Sequence, residues 1–470
     1  MNRIGVLAAA CVAGAMLAGC SNNGGPSCSL KDGTELATLM TTPTTSAWAK
    51  FAADPANSGR SLVDLGGTEI EGRVLFPRDG QPAIGPIQTA PVLGTGIMVS
   101  EGVVKDIIYI GSSDSNVYTV GYDGEPIVLE DKIQVEGAVT GTPLLGADGI
   151  LFVPSNGTLT QFRSDGSVKN VAKLEGFAAA SPTIWNGDGT TYTGTLSGEF
   201  SGVCPNGVPR YQLSFPLTQS AAAVAQDPNE PTQETPIVVA AGLAGQVRAY
   251  NLRGRQIWSF FASATIEAAV VIDESTAVFY VADTNGRVFA GGLANGVPKA
   301  GFSFAADESI TASPALGRDD AAVPTLYVAD VGGTVYALDR ATGVVRWRFE
   351  AIGPIQSSLV VATGGATDVI VFGADVLGNI SASPTAVPVA GRVYALRDDG
   401  TTATPLWEFD TDSSIGAASP AIGSDGTVYI GRQGQQLGSG GKCPGGNATT
   451  TCTVNVGGAL YAIAPASTGF

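Results

Sequence analysis

The stretch "YALDRATGVVRWRF" at residues 336–349 decides the fold. Two short apolar runs flank "RATG", and a glycine turn between β-rich runs reads as a hairpin. Working outward, "TLYVAD" (325–330) and a "VGG" turn stand before it, and "ITASPALG" (310–317) stands before those. Four short strands in about 45 residues make one unit, and the same order returns along the chain.

Fourth-strand endings mark the phase: "QLSF" at Phe215, "QIWSF" at Phe260, "GFSF" at Phe304, "RWRF" at Phe349, "LWEF" at Phe409, and a weaker "VAKL" near Lys173. First strands keep step in "TAPVLG", "GTPLLG", "ASPTIW", "SAAAVA", "EAAVVI", "ASPALG", "SSLVVA" and "ASPAIG". Two tetrapeptides recur at matching places, "GPIQ" at 85–88 and 353–356 and "NGVP" at 206–209 and 295–298, as internal duplication would leave them.

Such a period is the sequence form of a β-propeller, one four-stranded blade per unit. A solenoid shares the repeat, but the two ends argue for a ring. The last unit stops after "GGALYAIAP", without a fourth strand, while an orphan fourth strand, "GRVLF" (72–76), precedes the first unit. Pairing the two completes an eighth blade and removes an exposed edge. The expectation is an all-β, eight-bladed propeller of four-stranded antiparallel blades, occupying 48–470 and closed by its N-terminal strand.

Composition agrees with this and narrows function. The chain has 63 Gly, 27 Pro and only 14% charged residues, which suits many strands and tight turns. Its net charge is −17, so nucleic acid is not an expected partner. It has no histidine, which removes the commonest general base and transition-metal ligand.

The N-terminus carries an address. Arg3 precedes an apolar run from Ile4 to Gly19, shorter than the roughly 20 residues a membrane span needs, and the run ends in "LAGC". Leu17, Ala18, Gly19 and Cys20 resemble a bacterial lipobox, with Cys20 as the lipidation site. An ordinary signal peptide that ends near a cysteine is the alternative. Residues 1–19 then form a lipoprotein signal peptide and 20–47 a flexible Gly/Ser/Thr/Pro tether. The place implied is the bacterial envelope, lipid-anchored at the outer membrane and facing the periplasm or the cell surface. The membrane is then met only through the lipid, and a monomer is expected.

Once Cys11 leaves with the signal and Cys20 is lipidated, Cys28, Cys204, Cys443 and Cys452 remain. Four cysteines allow three pairings; a short bridge between Cys443 and Cys452 is the first expectation and Cys28 with Cys204 the second.

The hairpin "VYALDRATGVVRWRF" resembles the repeat of the PQQ-like, quinoprotein-type eight-bladed propellers, and "WAKFAADPANSGRS" (48–61) resembles the segment that leads into their first blade. Quinone-dependent dehydrogenases share this repeat with non-catalytic envelope lipoproteins of the BamB type, so the resemblance implies a fold and leaves two functions open. A dehydrogenase would hold a quinone with three carboxylates, together with calcium, near the axis. Aligning the eight units places Gln88, Thr140, Ala179, Ser220, Glu267, Thr311, Gln356 and Ala417 in the channel ring, a set with one acid and no Lys or Arg. No vicinal cysteine pair and no tryptophan in every blade accompany it. We therefore expect no cofactor, no metal and no catalytic residue.

Other candidates are local. Asp410 and Asp412 in "DTDSS" lack the further ligands of a calcium loop. Asp148, Asp188 and Asp425, each followed by glycine, suit tight hairpins. The pairs Asp307 with Glu308, Asp319 with Asp320 and Asp398 with Asp399 read as exposed carboxylates in connections. Trp258, Trp347 and Trp407 recur in phase and read as packing between blades. Three segments break the repeat: "VLGNISASPTAVPVAG" (376–391) and "QQLGSGGKCPGGNATTTCTVNVGG" (435–458), both between second and third strands, and "QDPNEPTQETP" (226–236) on the opposite face. Because a rigid ring presents function through its loops, the first two are the expected docking ridge for envelope proteins. A propeller binding glycans or other extracellular ligands is the third reading.

Overall fold

A computed structural model describes residues 48–466, apart from 79–80, 126–131, 147–148, 231–234, 379–386 and 437–454. Among these residues there is no helix, hence none long and apolar enough to cross a membrane. Residues 92–134, 144–177, 183–214, 223–261, 271–305, 315–350 and 360–411 form blades one to seven, and residues 421–465 with Ile70–Phe76 form the eighth. In blade two the long element Leu151–Phe162 serves as second and third strand, reversing at Gly157.

The ring closes where the orphan strand suggested. Ile70–Phe76 runs antiparallel to Ala459–Pro465, with Ile70 opposite Pro465 and Arg73 opposite Ala462. A blade assembled from both chain ends leaves no gap in the ring.

Blade six shows why the repeat folds as it does. Thr325–Ala329 is buried along its whole length, as a strand covered on both faces must be, whereas Val345–Glu350 alternates toward solvent. Between them, Asp339 Oδ1 accepts from the amides of Ala341 and Thr342, and Gly343 turns the chain at φ +76°. Trp347 stands opposite Ala337, Trp258 opposite Ala249 and Trp407 opposite Ala395. The small cross-strand partner leaves room for the indole, which reaches the next blade. Trp258 stacks on Phe279 at 4.8 Å and donates to Leu293 O, while Trp347 donates to Asp398 Oδ1.

Among the acidic pairs, one sequence expectation needs correction. Asp398 is not an exposed loop carboxylate: it is buried, and Tyr327 Oη donates to it at 2.7 Å. Its side-chain partners Tyr327, Arg346 and Trp347 come from blade six, and Gly400 N of its own blade also donates to it, so it serves as an inter-blade anchor. Asp319 is exposed in its connection, as expected, and pairs there with Arg60 and Arg340.

Candidate functional site

The central channel is a cup, closed at one end and open at the other. Its closed end is built by residues 48–61, which circle the axis instead of simply leading into blade one. First-strand amides donate to this segment blade by blade: Leu93 to Trp48 O, Leu145 to Ala49 O, Val224 to Pro55 O, Ile272 to Ala56 O, Leu316 to Ser58 O and Val361 to Gly59 O, all at 2.8–2.9 Å. In blade three the Thr183 hydroxyl reaches Pro55 O. Arg60–Ser61 then pairs parallel with blade seven, and the chain enters blade eight.

Within the closed end, Lys50 is fully buried. Its ammonium donates to Phe51 O, Asp54 O and Asn57 Oδ1, and Asn57 Nδ2 donates onward to Ala222 O and Val270 O of blades four and five. Burial pushes the Lys50 pKa from 10.5 down to about 7, against the opposing pull of Asp54.

Above this lies a cavity of about 270 Å³ with Phe51 in its lining. The wall has two tiers, two residues apart on every first strand. The deeper tier is Ala90, Thr142, Ser181, Ala221, Ala269, Ser313, Ser358 and Ser419. Its hydroxyls stitch blade to blade: Thr142 Oγ1 accepts from Ala90 N, Ser181 Oγ from Thr142 N, Ser313 Oγ from Ala269 N, Ser358 Oγ from Ser313 N and Ser419 Oγ from Ser358 N, at 2.8–3.1 Å.

The outer tier holds Gln88, Thr140, Ala179, Gln219, Glu267, Thr311, Gln356 and Ala417. Seven of these are the residues the sequence alignment placed in the ring. The eighth is not Ser220, which donates its hydroxyl to Ala268 O, but its neighbour Gln219. The slip has a local cause. Pro91, Pro143, Pro182, Pro314 and Pro420 fix the phase in five blades, whereas blade four has Ala222 in a run of alanines.

The outer tier does not fit a quinone bearing three carboxylates. No lysine or arginine lines the cavity, and the one nearby ammonium, that of Lys50, is committed to the closed end. Among the described residues, no group of three or more Cys, Asp or Glu is gathered as metal ligands would be. Asp410 pairs with Arg392, and Asp412 with Arg432 and Tyr461. Asp188 and Asp425 accept from the amides two residues on, as turn residues do; Asp148 lies outside the described residues.

Two of the repeat-breaking segments emerge beside the mouth. In blade seven the second and third strands extend to the pair Gly378 and Val387. In blade eight, Gln435–Gln436 pairs with Asn455–Val456 at the base of the insertion, and Gly458 N donates to Ile84 O on the link into blade one. A Cβ on Gly458 would come within 2.1 Å of Gly85 O, so only glycine allows that approach. The third segment, 226–236, continues a hairpin of blade four, where Asp227 N donates to Thr235 O. Cys204 is disulfide-bonded, and its partner lies outside the described residues, as do Cys20, Cys28, Cys443 and Cys452.

Comparison with known proteins agrees with this architecture. Residues 303–450 match the family model described as outer membrane protein assembly factor BamB. BamB from Moraxella catarrhalis superposes with a TM-score of 0.53 at 16% identity, over 80% of this chain and 99% of that one. The C-terminal WD40 domain of Sif2 gives 0.54 at 11% identity, over 81% and 97%, and the computationally designed Ika8 protein gives 0.51 at 14%, over 75% and 96%. No curated protein matches the sequence. At these identities the structural likeness is one of fold. The chain is an eight-bladed β-propeller that resembles BamB in architecture, and its match to the BamB family model spans residues 303–450.

Proposed function

We propose that this protein is a non-catalytic scaffold of the bacterial envelope, lipid-anchored through Cys20, that docks other envelope proteins through segments 376–391 and 435–458. The observation that carries the reading is the position of the two insertions. They rise from adjacent blades on one face of a ring whose inner strands are otherwise tied to one another. A rigid ring that carries two neighbouring insertions on one face loses little entropy when a partner docks there. A bridge between Cys443 and Cys452 would stiffen the second insertion further. The match of blades six to eight to the BamB family model supports an adaptor role in outer-membrane assembly.

Deleting residues 437–454 from the full-length lipoprotein and crosslinking in intact envelopes tests the docking claim. Loss of crosslinked outer-membrane proteins, with the ring still folded, is the expected result; unchanged crosslinking would remove those segments from the account. The dehydrogenase alternative is tested by adding pyrroloquinoline quinone and calcium to purified protein. Saturable quinone binding with dye-linked oxidation of an alcohol or sugar would overturn the scaffold reading.

A further inference from the structure

The two tiers of the channel wall are built from similar polar residues but differ in how those residues are used. Deeper-tier hydroxyls accept from neighbouring blades. In the outer tier, among the described residues, the side chains of Gln88, Gln219, Glu267 and Gln356 make no hydrogen bond and no ion pair, although all four line the cavity. Glu267 is the one charged side chain of this lining, and the carboxamides and the buried, unpartnered hydroxyls of Thr140 and Thr311 around the cavity can turn their oxygens toward a bound donor.

The approach to this cavity carries the same sign. The eight segments that lead into the first strands, residues 83–88, 135–140, 174–179, 214–219, 262–267, 306–311, 351–356 and 412–417, contain Glu136, Glu175, Glu267, Asp307, Glu308 and Asp412 but no Lys or Arg. Asp307 and Asp412 are neutralised by Arg348 and Arg432. No ion pair among the described residues engages Glu136, Glu175, Glu267 or Glu308, and a concave mouth concentrates the field of such charges. Phe51 adds an aromatic surface to the lining, suited to the face of an organic cation.

We propose that the channel mouth binds a single organic cation, an alkylammonium or guanidinium group, with Glu267 as its counter-ion and the carboxamides of Gln88, Gln219 and Gln356 as further acceptors. The cavity of about 270 Å³ suits one such group with a short stem. The group can belong to a free small molecule or to a lysine or arginine side chain of a docked protein. The site does not depend on the scaffold reading.

Isothermal titration of the full-length protein with n-butylammonium, methylguanidinium and the blocked tripeptide acetyl-Gly-Arg-Gly-amide tests it. Saturable binding of at least one cation is expected, weakened roughly tenfold or more in Glu267→Gln, because a charge-assisted hydrogen bond is lost. Methylurea, the neutral analogue, should not bind, and Glu230→Gln, exposed in the opposite-face hairpin of blade four, should leave affinity nearly unchanged. Tighter binding of the tripeptide than of methylguanidinium assigns the site to a partner's side chain; the reverse order assigns it to a free small molecule. Absence of saturable binding by all three cations, equal affinity in Glu267→Gln with an unchanged melting profile, or methylurea binding as well as methylguanidinium would overturn the proposal.

Discussion

The closed end and the open mouth of the channel lie on the same eight strands yet treat polar groups in opposite ways. At the closed end a lysine, an asparagine, a ring of hydroxyls and a run of backbone carbonyls satisfy one another. At the mouth, glutamines and a glutamate stand without internal partners. Buried polar groups must be bonded for the fold to survive, whereas side chains beside solvent are free to bind something else. The difference separates residues that hold the ring from residues available for recognition.

The largest effect should come from opening the ring. Deleting residues 48–76 removes both the closed-end segment and the outer strand of blade eight, leaving Ala459–Pro465 as an unpaired edge. We expect loss of the cooperative unfolding transition and, in size-exclusion chromatography, a shift of the protein from its wild-type elution position into aggregates.

The closed end also predicts a pH dependence. Lys50 has a folded pKa of about 7 against an ordinary value of 10.5, so between these values the unfolded chain binds the proton and the folded chain does not. Stability should therefore rise with pH through that window, by at most ~1.4 kcal/mol per unit from this group, and the contribution should be absent below about 7. Urea midpoints at pH 7 and 9 should separate the wild type from Lys50→Met, in which the slope due to this group vanishes. A wild-type slope equal to that of the variant would show that Lys50 does not change its protonation on folding.

Asn57→Ala tests the same network at fixed pH. It removes an acceptor from the Lys50 ammonium and a donor from two blade carbonyls, at a residue with φ +55°, and should cost about 3 kcal/mol in denaturant unfolding. Ser358→Ala in the deeper tier leaves the buried Ser313 amide without its acceptor and should cost about 1 kcal/mol. Gln219→Ala in the outer tier should change stability by less than ~0.5 kcal/mol, since nothing in the fold depends on that side chain. Equal costs for the last two would erase the distinction between tiers.

The ring itself was legible from sequence because it repeats. Phase markers fixed the blades, the orphan strand at 72–76 announced the closure, and the proline of the first strand set the channel register wherever it was present. Where alanine replaced it in blade four, the register moved by one and Ser220 stood in for Gln219. The circling path of residues 48–61 was not legible, for a different reason. That segment occurs once, so no period marks it, and its links to the blades are mostly backbone carbonyls, which leave little trace in residue identity. Asp398 was misread because its burial depends on Tyr327 and Trp347 from the preceding blade.

The two faces can be compared directly in the envelope by placing a photo-crosslinking residue at Gln435, at the base of the blade-eight insertion, and at Asn229, exposed in the opposite-face hairpin of blade four. The account predicts crosslinks to envelope proteins from position 435 and none above background from position 229. Crosslinks of equal yield from both positions, or from 229 alone, would contradict it.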